Sequence, residues 1–337
     1  MNKNKKKYSL DYKIDDFMIW CQQKDLRIKT ITSYESCLRL FSRYIKDEHG
    51  IDNDNINQIK EQHIREYIKY TKDRGKYTFV SDKNSLKINY PENRKDYNSK
   101  ISVTTINNYI RNLKVFFNYM ESEYNLKNNP MKKIKQFKNN RKPKEAITDA
   151  ELKRLLQNID TTKFHEYRDY IIIQLLIDTG MRLNECLLLE IENLDVDRRA
   201  ILIPQDITKG RKDRYVFFSR SMGTQLKRWI QYKDRYIESD LLFCTKHNTR
   251  LGVSNFEKNF RGYCGRIALK NITAHCLRNN FGRNFLINGG SIHILSKLLG
   301  HSSVTVTEQA YADLSDEDIR KAYNKISPIE RIRGGKR

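Results

Sequence analysis

No stretch of this 337-residue chain is apolar for long enough to cross a bilayer; the longest strongly apolar run, Tyr170 to Ile177, is short and broken by Gln174. The basic start Met-Asn-Lys-Asn-Lys-Lys-Lys is not followed by a signal-type apolar segment before Asp11, Asp15 and Asp16 intervene. A soluble, non-secreted, cytoplasmic protein without a membrane partner is expected. Six cysteines, at positions 21, 37, 186, 244, 264 and 276, have no framework spacing and read as free thiols in a reducing compartment. Cys244-x-x-His247 is half of a zinc spacing, but Cys264, His275 and Cys276 supply no matching second pair, so no metal is expected. There is no His-Glu-x-x-His, no Gly-rich loop ending in Lys-Ser/Thr and no dinucleotide fingerprint. The expectation is chemistry with no cofactor and no nucleotide hydrolysis. No repeat of solenoid length and no low-complexity tract occurs. Acid is also scarce: 41 Asp and Glu against 64 Lys and Arg give a formal charge of +23. A polyanionic partner follows most simply, with nucleic acid the commonest; the alternative is a merely soluble basic protein.

What is present divides into two parts. In the first third, apolar residues recur at helical intervals: Tyr34, Cys37, Leu38, Phe41 and Ile45 on one face, and Ile106, Tyr109, Ile110, Leu113, Phe116, Phe117 and Met120 on another. Shorter helices are expected near residues 11–24 and 62–72. The opposite faces carry Arg39, Arg43, Lys46, Arg111 and Lys114, which either meet a DNA backbone or stay solvated. Residues 73–101, with Gly75, Pro91 and only isolated apolar residues, read as a long inserted loop or hairpin of a composition that a partner would order. A boundary follows Asn129-Pro130. Met131 to Lys144 holds seven Lys or Arg, among them Lys138, Arg141 and Lys142, and no acid. It reads as an extended basic linker suited to crossing phosphates. Thr148-Asp-Ala-Glu151 is a capping box that opens a new helix carrying Leu152, Leu155 and Leu156. Beyond it the chain is mostly helical, with two β-rich runs, Ala200 to Pro204 and Arg214 to Phe218, around the basic turn Thr208-Lys-Gly-Arg-Lys212.

Four short blocks in this second part carry side chains suited to a phosphodiester: Thr-Gly-Met-Arg, Thr-Lys-Gly-Arg-Lys, His-Cys-Leu-Arg and Leu-Leu-Gly-His. Direct displacement at phosphorus needs a nucleophile, donors for the non-bridging oxygens and an acid for the leaving oxygen. Arg182, after the Thr179-Gly180 turn, begins a helix where a guanidinium can hold phosphate bidentately, and Glu185 one turn on can pin its plane. His275 and Arg278 share a helix face behind a Thr273 cap. Lys209, at the turn, is a mobile ammonium suited to general-acid work, although Lys212 competes for that role and Arg211, Lys212 and Arg214 also fit a turn that simply grips DNA. His301 follows a helix that Ser291 can cap and that ends at Gly300, and Tyr311 lies ten residues further on. A tyrosine hydroxyl, with a pKa of about 10, needs a strongly cationic site to act as a nucleophile. Each block alone is outweighed by a structural reading; their order and combination are not.

Together these blocks resemble the tyrosine recombinases, the phage-integrase family of site-specific DNA recombinases, over most of the chain. The resemblance implies a mainly α protein of two domains: an N-terminal helical core-binding (SAM-like) domain over residues 1–130 with the inserted loop, and a mixed α+β catalytic domain over 146–337. Residues 131–145 would link them, and the catalytic domain would carry a small antiparallel sheet in the DNA breaking–rejoining enzyme fold, with a tail from about residue 314 that docks on a neighbouring protomer or frays. It also implies that Tyr311 attacks the scissile phosphate, leaving a 3′-phosphotyrosyl link and a 5′-hydroxyl. Arg182 and Arg278 would clamp the non-bridging oxygens, His275 assist proton removal, Lys209 protonate the leaving oxygen, His301 hydrogen-bond the phosphate and Glu185 support from behind. The implied partners are double-stranded recombination sites bound by a homotetramer, with an accessory directionality protein possible. Asn279 departs from the family, many of whose members carry His after the second arginine. The outcome would be integration, excision or transposition of a mobile element; alternatives are dimer resolution, a type IB topoisomerase-like activity or a non-catalytic DNA-binding relative.

Overall fold

The computed structural model describes residues 9–51, 56–81, 89–138, 147–208, 210–311, 315–327 and 329. The chain divides into two compact units, residues 1–141 and 142–337. Among the described residues no helix is long and apolar enough to cross a membrane. The six cysteines are free and buried.

The first unit consists of α1 (Leu10–Gln23), α2 (Ile28–His49), α3 (Glu61–Asp73) and α4 (Val103–Tyr124). The periodic apolar faces make its core: Leu38, Phe41 and Ile45 of α2 meet Ile110, Leu113, Phe116 and Phe117 of α4, all essentially without solvent exposure. Phe17 of α1 stacks on Trp20 and meets Tyr34, Phe116 and Tyr119 in tilted and edge-on pairs. The ends are set by local chemistry. The hydroxyls of Ser9 and Ser102 accept from the Tyr12 and Thr105 N–H groups in the first turns of α1 and α4, and Gly50 closes α2 in the left-handed region.

Two expectations need correction here. Met131 and Ile134 are buried in this first core, so the chain does not leave the unit at Pro130. Asn107 holds the segment further along: its side chain accepts from the Phe137 N–H at 2.9 Å and donates to the Phe137 carbonyl at 2.9 Å, as a strand neighbour would. The first unit therefore extends through Phe137 rather than ending at Pro130. The second correction concerns 73–101, whose described parts are folded without a partner. A Gly75–Lys100 bridge and hydrogen bonds between residue 76 and residues 98 and 99 close its base. Phe79 anchors it, with Tyr70 edge-on at 5.5 Å and the guanidinium of Arg43 over its ring at 4.6 Å. Residues 82–88 lie outside the described residues.

The second unit is built around α6 (Phe164–Thr179), which follows α5 (Asp149–Gln157). The Thr148/Glu151 capping box opens α5. Ile171, Ile172, Ile173, Leu175 and Leu176 of α6 are all buried, so this helix is enclosed on every side. It packs against α8 (Arg220–Asp234) and α10 (Ala274–Ile287). Between them come α7 (Leu183–Leu187), the antiparallel meander β1 (Leu194–Asp195), β2 (Ala200–Ile203) and β3 (Arg214–Phe217), and α9 (Val253–Arg266). In the β2–β3 register Ile201 faces Val216 and Ile203 faces Arg214, which puts the inward parity of β3 on Arg214 and Val216. The unit closes with α11 (Ile292–Leu299), α12 (Val304–Tyr311) and α13 (Asp316–Ile326). Asp318 of α13 is buried and takes a forked ion pair from Arg283 of α10, while Ile319 and Tyr323 face solvent. Thr273 and Ser291 do occupy the N-cap positions of α10 and α11, but neither hydroxyl makes the capping bond expected of it.

Candidate functional site

Two glycines shape the centre of the second unit. Gly180 ends α6 with φ of 65°, and a Cβ there would overlap the Phe281 ring of α10. Gly300 ends α11 with φ of 63°, and a Cβ there would stand 2.8 Å from Arg214 Cδ. Both positions demand the left-handed conformation and the close approach that only glycine allows. Each also brings a helix C-terminus, with its unpaired carbonyls, to the same place.

Those carbonyls receive the two arginines. Arg278, 3% exposed, donates from Nη1 to the Gly180 carbonyl at 2.8 Å and from Nη2 to the Leu299 carbonyl at 2.7 Å. Arg182, the N-cap residue of α7, donates from Nη2 to the Gly300 carbonyl at 3.2 Å. Its Nη1 donates to Glu185 Oε1 at 2.9 Å, and its backbone N–H to Oε2 at 3.0 Å. The Arg182 side chain keeps 29% of its surface open to solvent, whereas Glu185 keeps 2%. Acid and guanidinium thus stand as the spacing predicts, on a helix that ends at Leu187.

His301 sits between the guanidiniums and α12. Arg278 Nη2 lies 3.0 Å from its Nε2, and because a guanidinium has only donors, Nε2 must accept. The ring proton is then on Nδ1 and donates to Thr307 Oγ1 at 2.8 Å. Burial, reinforced by the charges of Arg278, Arg182, Arg214 and His275, pushes the His301 pKa down to about 4, so the ring is neutral at physiological pH. Thr307 is fully buried on α12, four residues before Tyr311, the last residue of that helix. His275 lies exposed in the first turn of α10.

Lys209 lies outside the described residues. The stem of its turn is pinned by buried Thr208, whose hydroxyl donates to the Gln205 carbonyl at 3.1 Å and accepts from the Lys212 N–H at 3.2 Å. Arg211 and Lys212 are exposed on the following residues.

Sequence reasoning missed one participant. Arg214 opens β3 and grips Glu185 with both ends of its fork, Nη1 to Oε1 at 3.1 Å and Nη2 to Oε2 at 2.5 Å. Burial alone would raise the Glu185 carboxyl, but Arg214 first and Arg182 second hold it below the usual carboxylate range. A usable signal was present: Arg214 shares the inward parity of Val216, and a cation on a buried parity requires an acid.

The cations proposed for DNA in the first unit fare differently from one another. Arg39 is ion-paired with Asp11 and Asp15, and Arg43 bonds the Val80 carbonyl and Asp47. Both are committed inside the unit. Arg111 and Lys114 on α4, and Lys138, remain exposed; Arg141 and Lys142 lie outside the described residues. A denser group went unnoticed: Arg65, Lys69 and Lys72 along α3 face Lys133 and Lys135 across a groove of about 480 Å3 floored by Ile68, Ile134 and Phe137. The burial of Ile134, which sequence alone assigned to a linker, brings the two rows together.

A sequence model of the phage integrase family matches residues 145–318, more than half of the chain. The chain is 26% identical over 294 residues to tyrosine recombinase XerD of Lacticaseibacillus casei, covering 86% of this chain and 97% of that protein. It is 26% identical over 326 residues to XerD of Oceanobacillus iheyensis, covering 95% and 99%. Its fold is similar to the Tn1549 transposon integrase solved with circular intermediate DNA, with a TM-score of 0.69, 16% identity and coverage of 94% of this chain and 99% of that one. The XerH site-specific recombinase bound to difH substrate is similar with a TM-score of 0.63, 21% identity and coverage of 90% and 81%. The ordered arginine, histidine and tyrosine blocks, the mainly helical fold with its three-stranded meander, and the match across the whole of that region agree: the chain belongs to the phage integrase family of tyrosine recombinases, enzymes that cleave and rejoin DNA strands.

Proposed function

We propose that the Arg182–Arg278–His301 cluster is the strand-breaking centre, and that Tyr311 is its nucleophile. The Tyr311 oxygen bonds to the scissile phosphorus as the bond to the 5′ oxygen breaks, giving a 3′-phosphotyrosyl link and a 5′-hydroxyl. The tyrosine proton passes to His275 or water, and Lys209 supplies the proton that the leaving oxygen takes up. Arg182 and Arg278 hold the non-bridging oxygens, and His301, fixed between Arg278 and the helix of Tyr311, hydrogen-bonds the same phosphate in its other tautomer, with the ring proton on Nε2 and the Thr307 hydroxyl donating to Nδ1. Because the ester energy is kept in the phosphotyrosine, a second 5′-hydroxyl can reseal the strand by the reverse displacement. The observation that carries this reading is that three residues from separate sequence blocks, Arg182, Arg278 and His301, meet at the carbonyls of Gly180, Leu299 and Gly300.

Double-stranded recombination sites are the substrate under this reading. The groove of Arg65, Lys69, Lys72, Lys133 and Lys135 and the exposed Arg111, Lys114, Lys138, Arg211 and Lys212 supply cations for the phosphate backbone. The working assembly is a homotetramer on two sites in the cytoplasm, with a directionality protein as a further partner. The exposed Ile319 and Tyr323 of α13 suit a contact between protomers.

A duplex nicked just beyond the cleavage point tests the chemistry, because the released fragment diffuses away and the covalent complex accumulates. Tyr311→Phe should abolish that complex while DNA binding persists. Undiminished trapping in the variant would remove Tyr311 from the mechanism.

A further inference from the structure

We propose that Arg214 is a positioning residue that keeps the phosphate clamp cationic by taking up the charge of Glu185. The inference rests on the reading of Arg182 as a phosphate ligand. Glu185 orients the Arg182 guanidinium, but a carboxylate 2.9 Å from its only cation would also cancel it. The pair alone sums to zero, and a neutral pair has little left for a phosphate. With Arg214 the three residues sum to +1.

The geometry assigns the compensation to Arg214 and the outward charge to Arg182. Arg214 approaches both carboxylate oxygens with its guanidinium, whereas the Arg182 guanidinium approaches only Oε1. Arg214 is the more enclosed of the two, its side chain 11% exposed against 29% for Arg182. Its Nε donates to the Leu298 carbonyl at 3.3 Å, and its stem fills the space beside Gly300 where a Cβ would stand. Held there, Arg214 meets the phosphate only through its effect on Glu185. Glu185, 1% exposed, is shielded from solvent, so its charge is compensated by these arginines rather than by hydration.

A mere staple between β3, α7 and α11 would use the same bonds, so the test must separate charge from scaffolding. Single-turnover cleavage of the nicked duplex is measured for wild type, Arg214→Met, Arg214→Lys, Glu185→Gln and the Glu185→Gln/Arg214→Met double variant, with DNA affinity and melting recorded for each. Arg214→Met should slow cleavage about a hundredfold, in line with loss of one charge-stabilising donor set, with affinity little changed. Removing the acid as well should recover at least about tenfold of that loss, since a neutral glutamine no longer quenches Arg182. Arg214→Lys, which keeps the charge but not the fork, should stay within about tenfold of wild type. A double variant as slow as Arg214→Met or slower would show a staple and overturn the proposal. So would Arg214→Met cleaving at the wild-type rate. If Arg214→Met lacks a cooperative melt, the step is read in the Glu185→Gln background, where it should cost under about tenfold; a larger cost there again indicates a staple. Failure of wild type to form any covalent complex would instead sink the recombinase chemistry and is seen independently of Arg214.

Discussion

Replacing Gly180 by alanine probes the position whose carbonyl holds Arg278. At φ of 65° an L-residue incurs about 1–2 kcal/mol of backbone strain. The added methyl would also overlap the Phe281 ring, which α10 holds against the end of α6, and such overpacking costs about 1–3 kcal/mol. The sum is about 2–5 kcal/mol, which for a unit of this size lowers the melting temperature by roughly 4–20 °C. Gly262 provides the internal control: it lies within α9 with nothing near its would-be Cβ, so Gly262→Ala should stabilise by up to about 1 kcal/mol through helix propensity. Calorimetry on both variants gives shifts of opposite sign. Shrinking the ring as well, in Gly180→Ala/Phe281→Ala, should leave only the backbone strain added to the cost of Phe281→Ala alone. Because the Gly180 carbonyl holds Arg278, strand cleavage should also slow at temperatures where Gly180→Ala is folded. A Gly180→Ala protein that melts with wild type would mean that α6 and α10 do not meet as described.

Two further outcomes follow from the packing. His301 has its pKa depressed from 6.5 to about 4, so the unfolded chain binds the extra proton first; its contribution to stability is present above pH 6.5 and is lost as pH falls toward 4. Urea melts across that window should show a pH slope that His301→Gln reduces, and an unchanged slope would argue against a buried neutral ring. Phe79→Ala should cost about 1–3 kcal/mol locally, because the ring is half-buried and loses its contacts with Tyr70 and Arg43; hydrogen exchange should rise in residues 74–81 and 94–100 but not in α4, and a rise throughout the first unit would show that the insertion is not a separable pad.

Patterns that depend on neighbours in sequence were readable in advance, and those that depend on distant partners were not. The Thr148/Glu151 box and the Arg182–Glu185 step each lie within one helical turn, and the stripe of α4 is a chain of such three- and four-residue steps, so spacing alone fixes who meets whom. Met131 and Ile134 were lost to the linker because seven cations in that stretch outweigh its three apolar residues until Asn107, far back in the chain, is seen to hold Phe137. Phe79 reads as an isolated apolar residue because its partners Arg43 and Tyr70 belong to two other helices. Thr273 and Ser291 show the reverse error: the residue type and position were right, but the hydroxyl geometry was not. The basic groove of the first unit appears only once α3 and residues 133–135 are side by side.

The way the guanidiniums are held explains why the centre contains a third arginine at all. Arg278 rests on two carbonyls, Gly180 and Leu299, and Arg182 rests partly on the carbonyl of Gly300. These are the unpaired acceptors at the ends of α6 and α11, and they satisfy N–H groups with partial charge only. A carbonyl therefore fixes a guanidinium while leaving nearly all of its charge for a phosphate. Glu185 fixes the plane of Arg182 more strongly, but with a full opposite charge shielded from solvent. Orientation by carbonyl is electrostatically neutral, and orientation by carboxylate is not. A site that uses both needs a cation behind the acid, away from the substrate, and the inward parity of β3 puts Arg214 there.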